Sequence, residues 1–323
     1  MTPRARRAAF DFAGQSVPAG RSAVAEVPIP RLVTGAQISL PVRVFHGRGE
    51  GPVMWVSAAI HGDEIGGVEI IRRVSSRLDP RRLRGTVLFV PIVNVHGFLT
   101  GDRYLPDRRD LNRSFPGSPN GSLASRVAST FMREIVGRCE IGIDLHTGSD
   151  HRTNLPQIRG DLDDPHTLEL ARAFGAPVIL QAGLRDGSLR TAATDAGVTL
   201  LLFEGGEAWR FDEGVIVAGT SGTLRVLAYL DMIDGDEAPS SRQPIESRRS
   251  SWIRARRSGI ALISAQLGQA VRKGEQLAII HDSLGRRLGR VHAPIDGVVI
   301  GLTQHPLVLQ GDALIHIAAT ETP

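Results

Sequence analysis

Several residue types are scarce in this chain, and each scarcity excludes a class of protein. Cys139 is the only cysteine in 323 residues, so neither an intrachain disulfide nor a thiolate metal site is available. No apolar run approaches the roughly 20 residues that a membrane span needs. The basic start at residues 1–7 is not followed by the apolar run of a signal peptide. The sequence therefore predicts a cytoplasmic globular protein without a membrane partner.

Lysine is also nearly absent, since Lys273 is the single example among 38 basic residues. The formal net charge is only +4, and the arginines are spread along the chain instead of forming a phosphate-binding stripe. We therefore expect no nucleic-acid partner.

The order of apolar and polar segments predicts an α/β protein with a second, all-β region. Residues 1–50 are expected to form a strand-rich lead packed on the catalytic domain. Across residues 51–233, apolar strands alternate with helical patterns, which is typical of a mixed sheet flanked by helices. Residues 234–250 break this periodicity and predict a linker. Residues 251–323 then form a C-terminal β domain.

The predicted C-terminal β domain contains an internal pseudo-repeat. The pattern of residues 258–263 followed by 273–279 is similar to that of residues 296–300 followed by 310–317. Two matching β halves predict a small sandwich or barrel, and the arrangement resembles the biotinyl/lipoyl-type hammerhead fold. Those carriers need a lysine in the hairpin between the halves, and the hairpin at 282–287 has none. We therefore expect a pocket wall or an oligomer contact.

Two segments far apart in the sequence supply a set of metal ligands. His61 and Glu64 lie between an apolar run at 53–60 and a helical pattern at 65–71, and His146 ends another short apolar run. Such strand ends form the ligand-binding edge of an open α/β sheet. Two imidazoles and a carboxylate are the ligands of a hydrolytic zinc site, where a bound water has its pKa lowered to about 7.

His61 and Glu64 form a His-x-x-Glu pair, and the chain contains a second such pair at residues 166–169. It also contains a further glutamate at the end of an apolar run. His166 lies in an amphipathic stretch at 165–174, which predicts a solvated helical face. Glu204 ends the apolar run 198–203, where a carboxylate is costly unless it is paired or used. Its predicted use is to take a proton from the attacking water and pass it to the leaving amine. A rim or N-cap carboxylate is the structural alternative.

The loop at 101–117 carries four arginines among glycines and prolines. Guanidinium groups bind carboxylates and oxyanions bidentately, so the loop indicates an acidic substrate. Arg108 and Arg109 are expected to be solvated and receive no role.

Four motifs in order resemble the succinylglutamate desuccinylase/aspartoacylase family of zinc deacylases. They are His-Gly-Asp-Glu at 61–64, Asp-Leu-Asn-Arg at 110–113, Asp-Leu-His-Thr-Gly at 144–148 and Glu-Gly-Gly at 204–206. Ordered motifs are more specific than any single one. The resemblance covers roughly residues 40–320 and implies a zinc-carboxypeptidase-like mixed sheet flanked by helices.

The resemblance also implies roles for individual residues. One zinc ion per chain would be held by His61, Glu64 and His146. Glu204 would act as catalytic base and acid, and Arg103 would polarise the scissile carbonyl. The side chains implied in binding the substrate's anionic groups are Asn112, Arg113 and Arg190.

Tyrosine is scarce as well, and its scarcity narrows the class of substrates that the chain is expected to hydrolyse. Aspartoacylase-type members place a C-terminal tyrosine in the pocket, and carboxypeptidases place one shortly before the catalytic glutamate, whereas this chain has only Tyr104 and Tyr229. N-acetylaspartate and peptides are therefore disfavoured, and the layout is similar to bacterial deacylases that act on N-acetyl-2,4-diaminobutyrate. The sequence predicts removal of a short acyl group from a small N-acyl amino acid, by a chain that could form a homo-oligomer. The alternatives are a zinc carboxypeptidase-type peptidase and a non-catalytic binding module on the same fold.

Overall fold

A computed structural model describes residues 7–32, 34–149, 151–235 and 243–320. These residues contain nineteen strands. In chain order the strands are β1 (Phe10–Phe12), β2 (Gln15–Val17), β3 (Arg21–Ile29), β4 (Ile38–His46), β5 (Gly49–Ala58), β6 (Arg84–Val90), β7 (Ile141–Gly148), β8 (Arg152–Gly160), β9 (Val178–Gln181), β10 (Thr199–Glu207), β11 (Ile245–Ser247), β12 (Ser250–Arg254), β13 (Gly259–Ile263), β14 (Ala270–Val271), β15 (Gln276–His281), β16 (Arg287–His292), β17 (Gly297–Thr303), β18 (Leu307–Val308) and β19 (Ala313–Ala319).

The same described residues contain six α-helices and two short 3-10 turns. The helices are α1 (Gly66–Arg77), α2 (Val95–Thr100), α3 (Leu123–Glu134), α4 (Pro165–Phe174), α5 (Leu189–Asp195) and α6 (Glu213–Tyr229), and the 3-10 turns are Leu111–Arg113 and Val136–Arg138. None of the helices in the described part of the chain has the length and apolar character needed to cross a bilayer.

One large mixed sheet organises the described chain. Its main path runs β12-β19-β17-β8-β10-β7-β5-β6-β4-β3, with further short strands paired off this path. The centre is parallel, because β5 pairs with β6 and β7, and β7 pairs with β10. Parallel strands are covered on both faces, and every residue of β7 is accordingly buried. The predicted mixed sheet flanked by helices is confirmed.

The helices cover the two faces of this sheet with separate apolar cores. Helices α3 and α5 supply one core, and α1, α4 and α6 supply the other. Val127 and Phe131 are four residues apart, so they share one face of α3, and Phe131 meets Trp55 of β5 edge to face with ring centroids 6.5 Å apart. Burying one such aromatic side chain contributes about 1.5–3 kcal/mol.

The parallel strands β5, β6, β7 and β10 end at one edge of the sheet, and the sequence-predicted ligands lie there. His61 follows β5 directly, and His146 and Glu204 are aligned neighbours on β7 and β10. The chain leaves β5 through Ala59, whose φ of 51° lies in the left-handed region. A non-glycine residue rarely adopts this conformation, and such residues cluster at functional sites.

The C-terminal region is all β, as predicted, but part of it belongs to the main sheet. Strands β17 and β19 form one antiparallel pair and β13 and β15 form another, which matches the two repeated halves. The first pair joins the main sheet because β17 pairs with β8, whereas the second belongs to a four-stranded sheet in the order β16-β15-β13-β18. The resemblance to a hammerhead carrier is not confirmed.

Part of the predicted linker forms a strand. Residues 236–242 of this segment lie outside the described residues. Ile245–Ser247 forms β11, which pairs in parallel with β9 and so belongs to the main sheet. The lead over residues 1–50 supplies β3 and β4, with β3 at the sheet edge. The division into lead, catalytic domain, linker and C-terminal domain stays our interpretation.

Neither Cys139 nor His166 was among the predicted site residues. Cys139 is buried, and its burial raises the pKa of its thiol far above the ordinary value, which makes it a poor nucleophile. His166 is exposed on α4, where its Nδ1 lies 3.1 Å from the Thr199 hydroxyl.

His316 is a buried histidine in the C-terminal region. Its ring stacks on Trp252 with the centroids 4.4 Å apart, and its Nδ1 has no hydrogen-bond partner among the described residues. Burial and the nearby Arg159 lower the pKa of His316 from 6.5 to about 3. The unfolded chain therefore binds a proton between these pH values that the folded chain does not.

We expect the free energy of unfolding to fall as the pH drops from 6.5 towards 3, by about 1.4 kcal/mol per pH unit from this residue alone. Replacing His316 with phenylalanine keeps the stack on Trp252 and removes the titrating group. The slope of the free energy of unfolding against pH should therefore become shallower by that amount. Urea unfolding at pH 4 to 7 measures this slope, with His292→Gln at the exposed end of β16 as the control. Parallel profiles for His316→Phe and the wild type would contradict the expectation.

Candidate active site

A cavity of about 390 Å³ opens at the carboxyl ends of β5, β7 and β10. It is lined by all eight side chains that were predicted to have metal, catalytic or substrate-binding roles. They are His61, Glu64, Arg103, Asn112, Arg113, His146, Arg190 and Glu204.

His61 and His146 share the carboxylate of Glu64. The Nδ1 atom of His61 lies 2.7 Å from Oε1 of Glu64, and the Nδ1 atom of His146 lies 2.7 Å from Oε2. One ligand atom from each residue lies within 4.8 Å of the other two, and all three side chains are buried. The structure thus brings together Glu64 and His146, which are 82 positions apart in the sequence.

The outer nitrogen of each imidazole contacts a second carboxylate. Nε2 of His146 lies 2.7 Å from Oδ2 of Asp144, and Nε2 of His61 lies 3.2 Å from Oδ1 of Asp110. These contacts favour a proton on Nε2 and leave the Nδ1 lone pair directed at Glu64. Two lone pairs at 2.7 Å need a proton or a cation between them.

This arrangement fits a zinc ion. Two inward-directed imidazole nitrogens, one carboxylate and outer carboxylates that orient the rings make up a common zinc donor set with a position left for water. The same donors also suit manganese or cobalt.

The electrostatics of the cluster favour positive charge at its centre. Burial opposes ionisation of Glu64, but the two imidazoles outweigh it and hold the pKa of the carboxyl well below its ordinary value. Burial likewise opposes protonation of both imidazoles, and the facing carboxylates nevertheless raise the pKa of His61 and of His146. A buried site that contains ionised carboxylates is a place where a cation is stabilised.

The arginine-rich loop places Arg103 at this cluster. Its Nη1 lies 3.3 Å from Oε1 of Glu64, and its Nη2 lies 3.0 Å from Oδ2 of Asp110. Asn94 holds the loop in place by donating a hydrogen bond to the backbone carbonyl of Arg103 over 3.2 Å. Arg103 therefore reaches the cavity from a fixed backbone position.

The turn Leu111–Arg113 supplies the next two lining residues. Asp110 caps this turn by accepting from the backbone N–H of Asn112 at 2.8 Å. The amide oxygen of Asn112 accepts from the backbone N–H of Leu189 at 2.8 Å, which ties the turn to α5. Burial lowers the pKa of Arg113, and Arg185 repels it further. An anion bound in the cavity would relieve both effects.

Arg190 also lines the cavity, but its guanidinium has protein partners. It donates hydrogen bonds to the backbone carbonyls of Ala182 and Gly183 and is 8% exposed. The structure thus shows it bracing a loop of the cavity wall.

Glu204 lies on the wall formed by β10, beside His146 in the register of the sheet. Its Oε2 accepts from Nδ2 of Asn154 at 2.6 Å, and its Oε1 pairs with Nη1 of Arg159 at 3.2 Å. The carboxylate is paired, as a poorly solvated carboxylate requires, and it lines the same cavity as His61, Glu64 and His146.

Comparison with known proteins accords with this geometry. The profile of the succinylglutamate desuccinylase/aspartoacylase catalytic domain matches residues 50–230, more than half of the chain. The N-alpha-acetyl-L-2,4-diaminobutyric acid deacetylase of Halomonas elongata is 30% identical over 295 residues, 87% of this chain and 86% of that protein. The chain belongs to the succinylglutamate desuccinylase/aspartoacylase family.

Solved structures agree with this membership. A succinylglutamate desuccinylase/aspartoacylase from Rhodobacter sphaeroides superposes with a TM-score of 0.84 at 27% identity, covering 94% of this chain and 96% of that one. The product-bound ectoine utilization protein EutE (DoeB) of Ruegeria pomeroyi also gives a TM-score of 0.84, covering 94% and 98%, and at 22% identity it supports the fold alone.

Several residues that complete the site of this family member were not predicted from the sequence. Asp144 was recognisable, because alternate residues of a strand share a face and it precedes His146 by two. Asp110 was likewise recognisable, because it begins the Asp-Leu-Asn-Arg motif at 110–113. Asn154, Arg159 and Trp252 had no local signal, because only strand pairing over long sequence separations brings them to the cavity.

Asp144 is held by the hydroxyl of Ser57, which donates to its Oδ1 at 2.8 Å, so its contact with His146 is well fixed. We expect Asp144→Asn to weaken zinc binding by about 10–100-fold, because losing an orienting carboxylate typically has an effect of this size. Competition with a chelator measures the affinity, and Asp79→Asn on the surface is the control. Equal affinities in both variants would contradict the orienting role.

Proposed function

We propose that this chain is a zinc-dependent deacylase that hydrolyses the amide bond of a small N-acyl amino acid. The observation that carries the proposal is the convergence of His61, Glu64 and His146 on one point of a cavity that Glu204 and Arg103 also line. Family membership supports the reaction class, and the name of the Halomonas elongata relative supports an N-acetylated amino acid as substrate.

Zinc held by the two imidazoles and Glu64 would supply Lewis acidity and an activated water at neutral pH. Glu204 would take the proton of the attacking water and return it to the nitrogen of the leaving amine, so that one carboxylate serves both steps. The contacts from Asn154 and Arg159 hold this carboxylate at the cavity wall while it carries out the transfer.

The arginines would stabilise negative charge at two places. Arg103, next to the metal cluster, would donate to the carbonyl oxygen as charge develops on it. Arg113 and the amide of Asn112 would bind the substrate carboxylate, and Arg190 would shape this pocket from within the wall. Seven arginines and only two glutamates line the cavity, which favours a substrate that carries a carboxylate.

The cavity also weighs against the two alternative functions. Trp252 and Arg254 of the C-terminal region close part of its wall, and a volume of about 390 Å³ suits a small molecule better than an extended peptide. A non-catalytic binding module would have no need for three buried ligands with oriented imidazoles beside a carboxylate. We therefore favour the deacylase over both the peptidase and the binding module.

We expect Glu204→Gln to reduce kcat at least 1,000-fold, on the order of the loss of a principal proton-transfer group with its charge. Zinc content should be unchanged, because Glu204 is not among the three ligands. The assay should use N-acetyl-diaminobutyrate, N-succinylglutamate and simple N-acetyl amino acids, with Glu207→Gln on the same strand as the control. Turnover at the wild-type rate in Glu204→Gln would remove the assigned base.

Arg113→Gln tests the recognition of the substrate carboxylate. We expect it to lower kcat/KM about 10–100-fold for an N-acetyl amino acid, as expected for a lost charge-assisted contact, and to have little effect on the corresponding C-terminal amide. Arg109→Gln in the same loop, whose side chain is 63% exposed, is the matched control. Equal losses of kcat/KM on the N-acetyl amino acid and on its C-terminal amide would show that Arg113 does not bind the substrate carboxylate.

A further inference from the structure

We infer that Asn154 is a positioning residue for Glu204, and that Gly301 of the C-terminal β region provides the space in which Asn154 does so. The inference rests on the proposed function, because it matters for catalysis only if Glu204 transfers the proton. It gives the C-terminal region a part in the reaction that nothing in its sequence pattern indicates.

The contact itself is short and sheltered. Nδ2 of Asn154 donates to Oε2 of Glu204 over 2.6 Å, and Asn154 is only 5% exposed. A neutral amide fixes the direction of a carboxylate without adding a counter-charge. Arg159 contacts the other oxygen over 3.2 Å with a side chain that is 25% exposed, so of the two partners Asn154 is the more enclosed.

The backbone explains why Asn154 points at Glu204. Strand β8 pairs with β10 through Glu204↔Gln157 and then Gly206↔Asn154, so three steps on β8 match two steps on β10. Such an irregularity is a β-bulge, which bends the strand and redirects side chains near active sites. The bulge brings Asn154 of one strand next to the carboxylate of the other.

Gly301 lies on the other side of Asn154. Strand β17 pairs with β8 at Gly301↔Asn154, so Asn154 lies between the catalytic strand β10 and the C-terminal region. A Cβ at position 301 would lie 2.9 Å from Oδ1 of Asn154 and 3.2 Å from the Cβ of His316. The Asn154 amide occupies its position because residue 301 has no side chain.

The consequence for catalysis follows from geometry. A general base must stay within hydrogen-bond reach of the proton that it removes and of the atom that receives it. If the Asn154 amide is removed or displaced, Arg159 becomes the only one of the two partners that still directs the carboxylate. Misplacement of a reacting group by about 1 Å costs roughly 100-fold in rate.

The first test replaces the amide. Asn154→Leu keeps the branched shape of the side chain without adding charge and removes the N–H donor, and Asn154→Ala removes both. We expect kcat to fall about 10–100-fold in each variant, with KM within about threefold of the wild type. Zinc content and Tm, measured on the full-length zinc-loaded protein, should be unchanged for Asn154→Leu. A space-filling role would instead spare the isosteric variant.

The second test acts from the C-terminal region. Gly301→Ala should lower kcat in the same way, because its methyl group displaces Asn154. Gly289→Ala is the matched control, since a Cβ at position 289 meets nothing within 4 Å. In the double variant with Asn154→Ala, Gly301→Ala should cause little further loss, because residues that act through one contact are not additive.

Each contrary result has a definite meaning. If Glu204→Gln is inactive while Asn154→Leu turns over at the wild-type rate, the positioning role is overturned and the proposed function stands. If Glu204→Gln remains active, the proposed function itself fails. If Gly301→Ala matches Gly289→Ala, or if its loss adds in full to that of Asn154→Ala, the contribution of the C-terminal region is overturned.

Discussion

The buried carboxylate of Glu64 is the constraint on which the rest of the site depends. Both of its oxygens face an imidazole nitrogen at 2.7 Å, in a place where water does not screen charge. Such a cluster is stable only if each ring is held and the central charge is balanced. Asp110, Asp144 and Arg103 surround it for that reason, and each is itself fixed by a neighbouring strand or turn.

The fold meets this demand by bringing strand ends together. Parallel strands β5, β7 and β10 finish at one edge, so His61, His146 and Glu204 meet although 143 positions separate the first from the last. The antiparallel strands β8 and β17 extend the sheet beyond β10 and add the wall that contacts Glu204. The part of the C-terminal region that contains β17 and β19 is therefore continuous with the main sheet.

Much of this was predictable from the sequence where the signal is local. Apolar runs predicted the central strands, and the helical pattern at 165–174 coincides with α4 (Pro165–Phe174), because burial of one face leaves a clear period. The clustering of His61 with His146 was predictable because both stand at the ends of such runs. The repeated C-terminal halves also appeared, as two antiparallel pairs.

The contacts that could not be predicted depend on pairing between strands that are distant in the sequence. No pattern shows that β17 joins β8, that Ile245–Ser247 adds a strand within the expected linker, or that Asn154 faces Glu204 across a bulge. These contacts depend on register and packing over long separations, which single-sequence periodicity does not encode.

The most direct test of the account is the zinc content of purified protein, measured together with deacylation. The account predicts one zinc ion per chain in the wild type, with loss of both zinc and turnover in Glu64→Ala and recovery of activity when zinc is returned to chelated wild-type protein. Full zinc occupancy in Glu64→Ala, or turnover that survives complete removal of the metal, would contradict it.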